Sequence, residues 1–190
     1  MDNENEPLAP AAIEALARRI NRPVVLVGMM GVGKSSVGKR LAAMLHCGFI
    51  DADDAIESAA QMTIPEIFAA YGEDYFRAGE RRVIARLIED GPRRKVIATG
   101  GGAFVNPETR ALILDKAIAV WLDSDIDTLV DRTARKDNRP LLKQGNPREI
   151  LTRLRDERAP FYAEAPIHVL STAGPHQRTL AKVLKGLDQW

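Results

Sequence analysis

Val24-Val25-Leu26-Val27-Gly28-Met29-Met30-Gly31-Val32-Gly33-Lys34-Ser35-Ser36 is the stretch from which the rest of the chain can be read. Four apolar residues lead into Gly28 to Ser35, which satisfies G-x-x-x-x-G-K-[ST] at every fixed position. Glycines let the backbone turn tightly around phosphate oxygens, so that successive N–H groups converge on an anion. The helix that follows adds the positive end of its dipole. Lys34 is placed to neutralise the β and γ phosphates, and the Ser35 hydroxyl to ligate Mg²⁺. The run from Ser36 to Leu45 has helical character, so the motif has the strand before it and the helix after it that a phosphate-binding loop requires. A dinucleotide fingerprint fits poorly, because its third glycine would fall on Ser36 and it has no use for Lys34-Ser35.

Around this loop the chain has the composition of a globular domain. Of its 190 residues 45% are hydrophobic and 28% charged, long enough and apolar enough for one substantial core. The 27 Lys and Arg are dispersed among 26 acids, for a net charge of +1, which argues against a general nucleic-acid binder. The single cysteine, Cys47, reads as structural and suits a reducing cytoplasm. No apolar run approaches the roughly 18 residues of a membrane span, and the acidic start resembles no targeting signal. Residues 1–21 read as an N-terminal extension: a disordered start, then a short helix with Ile13, Leu16, Ala17 and Ile20 on one face, expected to pack on the outside of a domain spanning 22–190.

Downstream, short apolar runs alternate with helical ones. Strands are expected at Phe49-Ile50-Asp51, Val96-Ile97-Ala98, Ala117 to Leu122 and Ile167 to Leu170. Together with Val24 to Val27 they make a five-stranded parallel α/β sheet. Asp51, Asp53 and Asp54 follow the second strand, where ligands of open α/β sheets bind. One of them, Asp53 or Asp54, is expected to cap the next helix, and three are more than a cap needs. Arg77 and Glu80 are three apart on a helix, and taken alone read as a solvated ion pair. Gly100-Gly101-Gly102 after the third strand reads either as a flexible turn or as bare backbone approached by a ligand. Residues 136–147, with three basic residues, two prolines and little periodicity, read as a lid loop carrying Arg139. A helix from Arg148 to Tyr162, bounded by Ala159-Pro160, follows. His46, His168 and His176 are scattered and suggest neither a metal cluster nor a histidine-centred triad.

A phosphate loop specifies a nucleoside triphosphate and leaves the acceptor open. No guanine-reading N-K-x-D segment follows the fourth strand, where Leu122-Asp123-Ser124-Asp125 stands instead. The third strand ends in Thr99 and glycines rather than in an Mg²⁺-binding aspartate, so that acid must come from elsewhere, and Asp51 is available. Size, lid and arginines point to a small-molecule kinase.

From about Arg22 onward the sequence resembles the shikimate kinase family. The motifs are Gly28 to Ser35, Asp51-Ala52-Asp53, Phe76-Arg77 with Glu80, Gly100-Gly101-Gly102, Arg139-Pro140-Leu141-Leu142 and Arg158-Ala159-Pro160-Phe161-Tyr162. The resemblance implies a three-layer α/β/α fold like that of nucleoside monophosphate kinases, with sheet order 2-3-1-4-5. It also implies transfer of phosphate from ATP, with Mg²⁺, to the 3-hydroxyl of shikimate, on the way to chorismate and the aromatic amino acids. By resemblance Arg77 and Arg158 grip the substrate carboxylate, Glu80 orients Arg77, and Gly101 and Gly102 complete the pocket. Asp53 binds the hydroxyls and acts as base. Gly31, Val32, Gly33, Lys34, Ser35 and Ser36 bind the phosphates, with Lys34 and Arg139 acting on the transferred group. Asp51 holds Mg²⁺ through water alongside Ser35, Arg132 stacks on adenine, and residues 171–177 form the other wall of that site. A monomer is expected, with ATP and shikimate as its ligands and neither nucleic acid nor membrane as a partner.

Two rivals are distinct in kind: a kinase of the same fold acting on another sugar acid such as gluconate, and a domain that binds ATP only to regulate a partner. A degenerate non-catalytic relative is disfavoured by the presence of Lys34, Ser35, Asp53 and Arg139.

Overall fold

The computed structural model describes residues 7–134, 145–171 and 176–190. Its organising strand is β1 (Val24–Val27), a run of aliphatic residues with no exposed surface, buried on both faces as strands of parallel sheets are. β3 (Lys95–Ala98) pairs with it on one side and β4 (Ile118–Asp123) on the other. β2 (Gly48–Asp51) lies outside β3, and β5 (Ile167–Leu170) outside β4. All pairings are parallel, and the order is β2-β3-β1-β4-β5, as the resemblance implied.

Helices connect the strands. α2 (Lys34–Met44) leaves the phosphate loop, α3 (Ala52–Ala60) leaves β2, and α4 (Ile64–Glu89) leads towards β3. α5 (Pro107–Lys116), α6 (Ile126–Ala134), α7 (Pro147–Tyr162) and α8 (His176–Gln189) complete the layers. Local chemistry explains the starts. Thr63 and Glu66 form a reciprocal capping box at α4, while Asn106 and Asn146 cap α5 and α7, each with proline at the first helical position.

α4 is two helical stretches joined at Gly72, whose φ of 80° and ψ of 176° interrupt the helix. That left-handed φ is one that glycine adopts without strain. Between α3 and α4 a satellite cluster of Ile56, Ile67 and Phe76 is separate from the main core. The N-terminal helix α1 (Pro10–Arg19) buries Leu16 and Ala17 in that main core. Arg19 reaches the Leu187 and Asp188 carbonyls of α8 at 3.1 and 2.7 Å.

Two expectations need correction. The cap of α3 is Asp51, neither Asp53 nor Asp54: Asp51 keeps extended backbone at the strand end, and its carboxylate accepts the Asp53 amide at 3.1 Å. α7 reaches Tyr162 as expected, but Ala159-Pro160 does not bound it: Pro160 lies inside the helix. A proline forfeits one intrahelical donor, and the helix still reaches Tyr162, whose ring is buried and whose hydroxyl is anchored.

Candidate active site

The loop between β1 and α2 closes over its own lysine. Gly33, at φ 101°, is the N-cap of α2, a left-handed position that suits glycine. Lys34 is buried, and its ammonium donates to the Gly28 and Met29 carbonyls at 2.7 and 2.9 Å. Its charge therefore sits within the loop, at the N-terminus of α2. One residue on, the Ser35 hydroxyl donates to Asp51 Oδ2 at 2.6 Å. Asp51 thus does two tasks, capping α3 with one oxygen and meeting Ser35 with the other. A hydroxyl and a carboxylate side by side are hard oxygen donors of the kind Mg²⁺ takes, so these residues fit that ion.

The capping role of Asp51 puts Asp53 in the first turn of α3, facing the glycine turn after β3. A Cβ on Gly100 would lie 2.9 Å from Glu80 Oε1 and 3.1 Å from Asp53 Oδ1. On Gly101 it would lie 3.1 Å from Arg158 Nη1 and 3.4 Å from the Met30 amide nitrogen. On Gly102 it would lie 2.6 Å from Arg77 Nη1. The room left by three missing side chains is thus taken by Glu80, Asp53, Arg158 and Arg77, which explains the triplet without a flexible turn. The bare backbone also brings the phosphate loop, at Met30, close to Arg158.

Arg77 donates to Glu80 at 2.8 Å and to Glu73 at 3.2 Å. Glu80 is only 3% exposed, and its Oε1 has no hydrogen-bond partner in the structure. Burial pushes its pKa up, against the pull of Arg77 and Arg158. Arg77 responds in the opposite sense to its own burial, because Glu80 and Glu73 hold the guanidinium charged above its ordinary value. The two are therefore more than the solvated pair their spacing suggests.

Tyr162 ends the run Arg158-Ala159-Pro160-Phe161-Tyr162 on α7. Its hydroxyl donates to the Gly101 carbonyl, tying α7 to the glycine turn. Burial raises its pKa to about 12, partly offset by Arg158 and Arg77, so it stays a donor at neutral pH. Arg132 donates to the Val32 carbonyl of the phosphate loop at 3.1 Å and to Ser171 Oγ at 3.3 Å. Near it the His176 ring packs where a Gly33 side chain would be, with Nδ1 buried and without a hydrogen-bond partner. Burial, then Arg132 and Arg40, lower its pKa and favour the neutral ring. Gly31 and Val32 lie in the loop, and Ser36 is exposed in the first turn of α2. Arg139, most of the expected lid and residues 172–175 lie outside the described residues.

The sheet order and the glycine-rich loop opening on α2 define a phosphate-loop kinase fold, with the Asp53, Glu80, Arg77 and Arg158 cluster gathered around the glycine turn beside that loop. The chain belongs to the shikimate kinase family, whose model matches residues 30–188. A shikimate kinase from Novosphingobium aromaticivorans is 65% identical over 192 residues, covering 100% of both chains. One from Caulobacter vibrioides is 54% identical over 168 residues, covering 88% of this chain and 83% of its own. Among solved structures, shikimate kinase from Acinetobacter baumannii in complex with shikimate superposes with a TM-score of 0.82 at 36% identity, covering 94% of this chain and 96% of that one. A gluconokinase from Sinorhizobium meliloti shares the fold, with a TM-score of 0.60 at 19% identity over 90% of this chain and 94% of its own.

Proposed function

We propose that the protein transfers the γ-phosphoryl group of ATP to the 3-hydroxyl of shikimate, giving shikimate 3-phosphate and ADP. The observation that carries this reading is the meeting at Gly101 of the phosphate loop, through Met30, with Arg158. Its neighbours Gly100 and Gly102 face Asp53, Glu80 and Arg77, so cationic and anionic recognition groups surround one turn. An acceptor with one carboxylate and several hydroxyls suits that pairing: planar guanidinium groups grip the carboxylate, and a carboxylate side chain accepts hydrogen bonds from hydroxyls.

The reaction needs little covalent work from the protein. Asp53 accepts the proton of the attacking hydroxyl as its oxygen bonds to the γ-phosphorus, and the bond from that phosphorus to the β–γ bridging oxygen breaks to release ADP. Lys34 moves its donors from the Gly28 and Met29 carbonyls to the phosphates and stabilises charge as it develops. Arg77 and Arg158 hold the acceptor by its carboxylate and fix the line of attack. Ser35 and Asp51, side by side, would hold Mg²⁺, which would neutralise charge on the β and γ phosphates. Arg132, fixed beside Val32, supports the adenine side. The single cysteine, Cys47, has no disulfide partner within the chain, which accords with a cytoplasmic protein; the protein is read as acting as a monomer.

The product tests the reading. Phosphorus–proton correlation spectra of the reaction mixture should place the new phosphate on the carbon bearing the 3-hydroxyl. Phosphate on another hydroxyl would mean that Asp53 and the two arginines hold the acceptor in a different orientation.

A further inference from the structure

We propose that Arg110 of α5, which no motif includes, is a positioning residue that fixes the spacing between the two walls of the acceptor pocket; this rests on the shikimate reading above. One wall is the glycine turn with the 3₁₀ turn Ala103–Val105 directly after it. The other is the end of α7, which carries Arg158 and Tyr162. Arg110 touches both. Its Nη1 donates to the Phe104 and Val105 carbonyls at 3.2 and 2.9 Å, and its Nε pairs with Glu164 at 3.1 Å. The guanidinium lies over the Phe161 ring, 4.9 Å from its centre.

The side chain of Arg110 is 15% exposed, so this is a largely desolvated hub rather than a surface pair. Phe161 and Glu164 flank Tyr162, whose hydroxyl donates to the Gly101 carbonyl. The walls are therefore joined at two places, by Tyr162 at the pocket and by Arg110 behind it. Arg158 stands against Gly101 and Arg77 against Gly102, so their separation follows the separation of the walls. Two guanidinium groups gripping one carboxylate tolerate little change in spacing. A lysine carries the charge but lacks the planar fork that serves two carbonyls, a carboxylate and a ring together.

Arg110→Lys and Arg110→Ala, measured with each substrate varied in turn, should raise the shikimate KM on the order of tenfold, well within the hundredfold that a misplacement of 1 Å costs. The ATP KM should stay within about twofold, since no Arg110 contact reaches the phosphate loop. In an Arg158→Ala background Arg110→Lys should add less than its effect alone, because the residue it positions is gone. If Arg110→Ala fails to fold, Arg110→Lys carries the test. An unchanged shikimate KM in a variant with lowered Tm would reduce Arg110 to a structural role. An equal rise in both KM values, or full multiplicativity with Arg158→Ala, would likewise overturn the proposal. Wild-type protein that binds ATP but turns over no shikimate would instead remove the pocket reading, and this inference with it.

Discussion

The two halves of the proposed site are built in opposite ways. The nucleotide half is one contiguous segment, Gly28 to Ser35, in which backbone N–H groups, a helix end and one lysine arise from neighbouring residues. The acceptor half has no contiguous segment. Asp53 comes from α3, Arg77 and Glu80 from α4, the glycine turn from beyond β3, and Arg158 with Tyr162 from α7. Phosphate is common to every nucleoside triphosphate, and a local loop suffices to hold it. Recognition of one small acid needs donors and acceptors from several directions, and only the folded sheet supplies those.

That contrast is open to attack by substitution, since each half should fail in its own way. Asp53→Asn should keep ATP binding and lower kcat by about 10²–10⁴-fold, the range for a lost general base. Steady-state rates alongside equilibrium ATP binding check this, and undiminished turnover would remove Asp53 from the chemistry. Lys34→Met should lower turnover about 10²–10³-fold and weaken ATP binding as well, because the charge it supplies acts on the phosphates in both ground and transition states. Near-normal activity there would undo the nucleotide half altogether. Arg158→Ala should raise the shikimate KM by about 10–100-fold, corresponding to the 1.5–3 kcal/mol of a charge-assisted hydrogen bond, and leave ATP nearly untouched. A rise confined to ATP would move Arg158 to the other half.

The smallest effect concerns Glu80 and pH. Burial raises its pKa, so the folded protein keeps this proton at pH values where the unfolded chain has released it. Stability should therefore fall as pH rises from the ordinary carboxylate range through the raised value, since the native state binds more protons in that window. Urea titrations at several pH values should show this slope in the wild type and a flatter one in Glu80→Gln. An identical slope in both proteins would mean that the buried carboxyl does not titrate there.

The same contrast governs what could be read from the chain alone. Val24 to Ser36 was legible because the strand, the loop and the helix are consecutive, and the alternation of apolar runs gave the five strands. The choice of Asp51 as the cap was not legible: three aspartates compete there, and the winner is decided by which one keeps extended backbone at the strand end. Arg110 gave no signal, because an arginine within a helix reads as solvent-facing until Glu164 and the carbonyls after Gly102 are folded against it. Tyr162 is similar, its partner Gly101 lying 61 residues away. Gly100, Gly101 and Gly102 were suspicious in the sequence, but only the structure identifies the side chains that fill their space.

Coupled ADP release with ATP and Mg²⁺, run in parallel with shikimate, with gluconate and with no acceptor, tests the central claim most directly. The expected result is rapid release with shikimate alone. Release with gluconate and none with shikimate would keep the phosphate-loop chemistry and contradict the acceptor assignment. No release with any acceptor, from protein shown to bind ATP, would contradict catalysis on a small molecule and leave ATP binding in the service of a partner.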